Sequence, residues 1–454
     1  MQKQNNNLNE NKITLKRIIP FALFGLYVLL IHVFGYELIG DDGVVCSALK
    51  PTLLEEFSVL ERSYVGWSSR ILINPIIWIL YHFDIKVWGM ANILIICIIF
   101  VLVKKLSGVC GHYTEDKIVL FVMLMFPYEV LCDTGWVSTS VSYFWPLAAG
   151  LFSCMPIVRY LDGKKTNIIY SFFVCISTVF ATNKEELSLT LLIVFLYFVC
   201  LTVKNKKIQP LFVIQFFIAL TSVLYHLQYT GNDARYDFFS MGLELSVFEK
   251  GIVGFVSTIN HLFYGYDYLF ICFSVIVSTL MFFIEKKWIY RFISLIPTMI
   301  CIVSIVVGLN LSGGLIDSKA LNKYVFPVRV EINNFQKYDY NKVILPLVIS
   351  IVGLCCLAIG IYRIIRNITQ YLSILIILAA GFIGRMTVGF SGNGYGDYAR
   401  TYIIFYYVLI VSLIFLFNCV KQEITKKDMK KIDILCIVLS IIAMVKCMFG
   451  LCII

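Results

Sequence analysis

The chain has 454 residues, of which 59% are hydrophobic and only 15% charged, where a soluble domain carries about 25% charged residues. With a mean hydropathy of +0.85, that balance excludes an ordinary soluble enzyme, a disordered chain and a nucleic-acid-binding domain. The net charge of +10 is therefore read against membrane topology, with no nucleic-acid partner implied.

Residues 1–17 are polar and Asn-rich and read as a cytoplasmic tail. The apolar run at 18–38 ends without a small-residue cleavage site, so it is expected to stay as the first helix. Further runs of spanning length follow at 86–106, 117–134, 140–160, 166–182, 186–203, 208–226, 254–283, 288–310, 343–362, 371–389, 401–420 and 432–452. Thirteen spans are thus expected, since one crossing needs about 20 apolar residues. The segment from Arg70 to Phe83 has about 14 and reads as a re-entrant or interfacial helix. The expected fold class is all-α: a polytopic transmembrane helix bundle forming one domain over 1–454. Its first outer loop covers 39–85 and its second long outer loop covers 311–342.

Loop charge sets the orientation. With the N-terminus cytoplasmic and 70–83 not crossing, the inner face collects Lys104, Lys105, Lys117, Arg159, Lys164, Lys165, Lys204, Lys206 and Lys207. It also collects Lys286, Lys287, Arg291, Arg363, Arg366 and the lysines at 421–431. Every short inner loop is then basic, which is the positive-inside pattern. Counting 70–83 as a crossing would invert everything after it.

The unusual polar clusters then share the outer face. The first loop carries Gly40-Asp41-Asp42-Gly43 and ends with the stretch Tyr64–Arg70. Later loops carry Asp133–Pro146, Thr182–Glu186, Tyr229–Asp237 and Gly384–Arg400. Ionisable residues at the mouths of spans are costly and mark function. Asp41 and Asp42 can act as a general base, one carboxylate raising the pKa of the other, or can hold a divalent cation such as Mg or Mn. They can equally be a solvated turn. Arg235, Arg385 and Arg400 suit a lipid phosphate, because the planar guanidinium binds phosphate bidentately. Snorkelling or ion pairing with Asp233, Asp237 or Asp397 is the plainer account. Lys184, Glu185 and Glu186 form a charged cap that also suits the helix dipole. Trp67, Trp136, Tyr143 and Trp145 are placed at the outer interface, as an aromatic belt or a sugar platform. The five histidines show no metal motif. Among the 15 cysteines only Cys46 and Cys132 fall in outer loops where a disulfide is conceivable.

These residues carry a resemblance. Asp41–Asp42 after helix one, the W-x-x-R of Trp67–Arg70 and the GW…YxWP of Gly135–Pro146 are similar to the GT-C class of integral-membrane glycosyltransferases. So are Asn183–Glu186, the G-N-x-x-R of Gly231–Arg235 and the Ala399–Phe405 segment. Within that class the chain looks most like a bacterial polytopic family of unknown function. The resemblance implies an outer-face active site in a bacterial inner membrane and a polyprenyl-phosphate sugar donor. It implies a glycan or lipid acceptor and a first-loop carboxylate, Asp41 or Asp42, as base or metal ligand. The candidate phosphate- and substrate-binding residues are then Arg70, Lys184, Glu185, Arg235, Arg385, Arg400, Trp136 and Tyr143. The chain departs from several class members in having no large C-terminal soluble domain, so acceptor binding rests on the loops. Two rival readings stay open. An envelope-polysaccharide polymerase or ligase would use Arg329 and the lysines of loop 311–342. A lipid-linked glycan transporter would use charges buried mid-helix, of which Lys446 and His32 are the main ones.

Overall fold

The computed structural model describes residues 18–33, 40–48, 69–108, 116–229, 245–313, 340–391 and 399–452. Among them every regular element is helical. Nine helices are long and apolar enough to cross a membrane: Ile85–Ser107, Trp136–Leu161, Glu185–Lys204, Pro210–Gln228, Trp288–Val306, Leu345–Ile365, Ile368–Ser391, Ala399–Val420 and Lys426–Leu451. A tenth is the pair Val247–Tyr264 and Tyr268–Ile284, bent by 67°. The chain is a multi-pass membrane protein. Three of the expected spans appear among the described residues as shorter helices. They are Ile18–Val33, Ile168–Ala181, and Asp116–Leu124 followed by the 3-10 turn Tyr128–Cys132. Pro127 stands at the cap of that turn, and a proline there cannot continue the helical hydrogen-bond ladder. The segment after Arg70 forms the helix Ile73–Tyr81 of 9 residues, about 13 Å long and too short to span.

Local sequence sets the helix ends. Asp84, Asn167, Asp267 and Asn367 each turn a side-chain oxygen onto the first free backbone N–H groups of the helix they precede. Ser246 and Glu249 form a reciprocal capping box. Both devices satisfy donors that a helix start leaves unpaired. The packing is organised around Ala399–Val420, which is 83% buried in its apolar window, whereas Lys426–Leu451 at the rim is only 22% buried. The outward faces remain apolar. Ile168, Phe172, Ile176 and Val179 recur on one exposed stripe, the pattern of a lipid-facing helix.

Close approaches are made by glycine. A Cβ on Gly384 would lie 2.6 Å from the Glu186 carbonyl oxygen, so Ile368–Met386 meets Glu185–Lys204 nearly backbone to backbone. This contact brings the two charged ends together. A π-helical turn at Ser140–Phe144 interrupts the Trp136–Leu161 helix. Such turns occur often at functional sites, and this one carries Tyr143.

Candidate functional site

The acidic pair divides. Asp41 and Asp42 open the short helix Asp41–Ala48, where consecutive side chains point about 100° apart. The Asp42 side chain is wholly buried. Its two oxygens accept the backbone N–H groups of Val137 and Ser138 at 2.9 and 3.0 Å. Those are free donors at the start of the Trp136 helix, and Gly135 at φ +133° gives the carboxylate room, since a Cβ there would sit 2.5 Å from Asp42 Oδ1. Burial, and then the Asp42 charge, push the nearby Tyr81 phenol up. Asp41 remains exposed and pairs with Arg400 Nη1 at 3.1 Å. Arg400 also donates its backbone N–H to Asp133 Oδ2 at 3.2 Å and reaches the Thr134 hydroxyl. Asp41, Asp133, Thr134 and Arg400 thus converge.

A second cluster forms around Lys184, which is fully buried. Its Nζ lies 2.6 Å from Glu186 and 3.2 Å from Glu185, and 4.2 Å from the centre of the Tyr143 ring. Arg70 Nε donates to both Glu185 oxygens at 3.2 and 3.1 Å. Burial alone would lower the Arg70 pKa; the Glu185 carboxylate, with Tyr143 and Glu186, reverses this and carries it upward. Ser69 bridges Glu185 to His226, and Asn183 Oδ1 accepts the N–H groups of Leu72 and Ile73. Arg70, Tyr143, Glu185, Glu186 and His226 line a cavity of about 230 Å³. Charge in this cluster is balanced, two cations against two carboxylates.

Arg385 behaves differently. It is 1% exposed, and none of its three guanidinium nitrogens has a hydrogen-bond partner among the described residues. It lies over the Tyr402 ring, 4.1 Å from guanidinium carbon to ring centre. Leaving a buried cation without an anion costs several kcal/mol, on the order of 3–5. Ile374 lies eleven residues earlier on the same helix, which returns to nearly the same azimuth, about 20° away. Ile374, Ser373 and Ile377 line an apolar groove of about 240 Å³ with Leu187, Thr190 and Ile404. Arg385 therefore stands beyond the end of a groove that runs along the bundle.

Other expected residues take other places. Trp136 is buried, edge-on to Trp88 and His32; it belongs to the core and offers no outer sugar platform, because the Asp42 cap pulls its helix start inward. Trp145 donates to Asn92, which also contacts His32. His32 is thereby part of a buried structural network. Lys446 lies near the C-terminal end of its helix, 3.4 Å from Glu129. Cys46 and Cys132 are free thiols. Arg235, Trp67 and most of loop 311–342 lie outside the described residues. For a divalent cation the acidic pair does not fit: both Asp42 oxygens already accept N–H donors, and Asp41 faces Arg400. Among the described residues no group of three or more His, Cys, Asp or Glu could hold a metal ion.

Sequence reasoning missed the site formed by His261, Asp267 and Tyr406. His261 Nε2 is 3.2 Å from Asp267 Oδ2 and 2.9 Å from the Tyr406 hydroxyl, and its ring stacks on Tyr402 at 3.7 Å. The available signal was Asp267 as a helix-capping residue just before an apolar run. Compared with family models, curated proteins and solved structures, the chain matches none.

Proposed function

We propose that the protein is a GT-C-like membrane glycosyltransferase. It moves a sugar from a polyprenyl-phosphate donor to a cell-envelope glycan or lipid acceptor on the outer face of a bacterial inner membrane. In this reading the nine long helices, the bent pair and the three shorter pieces make thirteen crossings. The N-terminus is cytoplasmic, and Ile73–Tyr81 rests at the outer boundary. The basic inner loops support this orientation.

The observation that carries the reading is Arg385, a buried guanidinium without a hydrogen-bonded partner, beyond the end of an apolar groove. A donor with an isoprenoid chain in the groove would bring its phosphate to that cation. Charge developing on the leaving phosphate would be stabilised there in a dry setting, where such stabilisation is strongest. Asp41 is the exposed carboxylate and takes the role of base toward the acceptor hydroxyl, oriented by Arg400. Asp42 positions the Trp136 helix. Arg70, Lys184, Glu185 and Tyr143 hold the donor side in shape, and Arg235 belongs to the same phosphate-binding set by resemblance.

The test compares the purified full chain with Arg385→Gln for binding of a C55 polyprenyl phosphate and of the corresponding polyprenol. A host strain lacking the gene, complemented by each form, supplies the envelope glycan profile. Wild type binds the phosphate lipid at least about tenfold more tightly than the alcohol, Arg385→Gln loses that preference, and one sugar is missing from a surface polymer in the deletion. Equal binding of both lipids overturns the reading. Collapse of polymer length with unchanged sugars replaces it with a polymerase.

A further inference from the structure

A further cavity, of about 450 Å³, is walled by Glu129, Asp133, His261, Asp267, Tyr406 and Lys446. That volume falls within the range of small-molecule sites, about 300–1,000 Å³, and holds one or two sugar rings. We propose that it is a subsite for a neutral, polyhydroxylated ligand: the sugar of the acceptor. The word acceptor rests on the transferase reading above; the subsite does not.

Charge separates this cavity from the donor side. Three carboxylates face one lysine and one histidine, so the wall repels a phosphate and accepts hydroxyl donors. Two of those oxygens accept no hydrogen bond among the described residues, although each carboxylate is ion-paired. Asp267 is 4% exposed. Its Oδ1 accepts the Phe270 N–H at 2.8 Å, while Oδ2 accepts no hydrogen bond among the described residues. Its neighbour His261 Nε2, 3.2 Å away, also faces the Tyr406 hydroxyl at 2.9 Å. One ring nitrogen carries at most one proton, so it cannot donate to both oxygens. Glu129 Oε2 is likewise closed to solvent and accepts no hydrogen bond among the described residues, although the carboxylate lies near Lys446 and the Cys447 thiol. A buried acceptor left unsatisfied costs about 1–3 kcal/mol. Both oxygens are closed to solvent in this structure, so sugar hydroxyls in the cavity would supply the missing donors once the Asp267 and Glu129 side chains turn toward it.

The wall is also shaped for the purpose. Tyr266 holds φ at +60°, a conformation that costs a non-glycine residue about 1–2 kcal/mol. It thereby turns the chain through the 67° bend that brings His261 and Asp267 together. His261 and Arg385 lie 3.7 and 4.1 Å from the same Tyr402 ring; two planar groups so close cannot share one face. Tyr402 thus divides the neutral-ligand cavity from the phosphate side. At the cavity rim, Asp133 accepts the Arg400 N–H, and Arg400 holds Asp41. An acceptor in the cavity reaches the proposed base along that rim.

Saturation-transfer NMR on the full chain in nanodiscs tests this, with the methyl α-glycosides of glucose, galactose and mannose as probes. At least one glycoside binds wild type, and binding falls at least tenfold in both Asp267→Asn and Glu129→Gln. Asn keeps an oxygen for the Phe270 cap, and unchanged melting temperatures certify folding of each variant. Binding of the C55 polyprenyl phosphate persists in these two variants. Arg385→Gln does the reverse, losing the lipid and keeping the glycoside. No glycoside binding, or binding unaffected by both acidic substitutions, overturns the subsite. Displacement of the glycoside signal by millimolar Ca²⁺ or Mn²⁺, with the same dependence on Asp267, overturns it in favour of a cation site. Loss of lipid preference in wild type with glycoside binding intact refutes the donor reading alone.

Discussion

The Arg385 guanidinium carbon lies 4.1 Å from the centre of the Tyr402 ring, while none of its three nitrogens has a hydrogen-bond partner among the described residues, on a side chain that is 1% exposed. A cation–π contact of this kind returns about 2 kcal/mol when desolvated, less than the cost of burying the charge. The site is therefore held at a stability deficit that a bound anion would relieve. Replacing Arg385 by Met, of similar length and without charge, is expected to raise the melting temperature of the lipid-free protein, a gain of about 1–4 kcal/mol. The same variant loses the stabilisation that C55 polyprenyl phosphate gives wild type. A thermal melt with and without that lipid reads both effects. A lower melting temperature for Arg385→Met in the absence of lipid would refute the stored deficit.

The two aspartates should separate under mutation. Asp42→Ala removes a carboxylate from two buried N–H donors, so a loss of about 2 kcal/mol or more is expected. Gly135→Ala should resemble it, because the new Cβ meets Asp42 Oδ1 at 2.5 Å and φ is +133°. Asp41→Ala removes an exposed partner of Arg400 and should leave the melting temperature nearly unchanged, since exposed ion pairs contribute about 0–1 kcal/mol. Glycan transfer should nevertheless fall in Asp41→Ala. Retained transfer in Asp41→Ala together with unaltered stability in Asp42→Ala would reverse both assignments.

The bundle itself was legible in the sequence, because apolar runs and inner basic clusters are set by the lipid solvent and by loop charge. Hydropathy does not register where a residue such as Pro127 ends a helix, so the run at 117–134 divides into Asp116–Leu124 and the turn Tyr128–Cys132. The site was legible in part. The conjunction of Arg70, Lys184 and Glu185 follows from the expected outer face, since each residue stands at a helix mouth. The division of Asp41 from Asp42 was not legible, because adjacent residues diverge only once a helix starts at Asp41. Trp136 misled for a related reason: an outer-loop position in sequence becomes core when a buried carboxylate draws its helix start inward. The His261–Asp267 pair depends on a bend at Tyr266, and no spacing rule gives its angle.

Glu285, in the loop between Tyr268–Ile284 and Trp288–Gly313, offers a pH test. Burial raises its pKa, but the Lys287 and Lys286 N–H groups and the Arg363 guanidinium outweigh burial and hold it below its ordinary value of 4.5. The folded-state value is depressed, so the carboxylate stabilises the fold fully above the unfolded value. That contribution is lost as pH falls through the folded value. Wild type should lose melting temperature below about pH 4.5 more steeply than Glu285→Gln. Parallel acid profiles for the two proteins would show that Glu285 contributes nothing to acid stability.

The apolar groove gives the last test, and it separates the chain of the donor from its phosphate. Gly150 lines the groove, and a Cβ there would already stand 3.1 Å from Leu187 Cδ2. A larger side chain must therefore turn into the groove or displace Leu187. Gly150→Leu is expected to weaken binding of the long-chain C55 polyprenyl phosphate by about tenfold, because roughly 1.4 kcal/mol of apolar contact corresponds to that factor. A C5 prenyl phosphate, too short to enter the groove, should bind the variant and wild type alike through Arg385. Native mass spectrometry with the two lipids reads the difference directly. Should both chain lengths weaken equally, the isoprenoid does not lie in this groove, and Arg385 receives its anion from another direction.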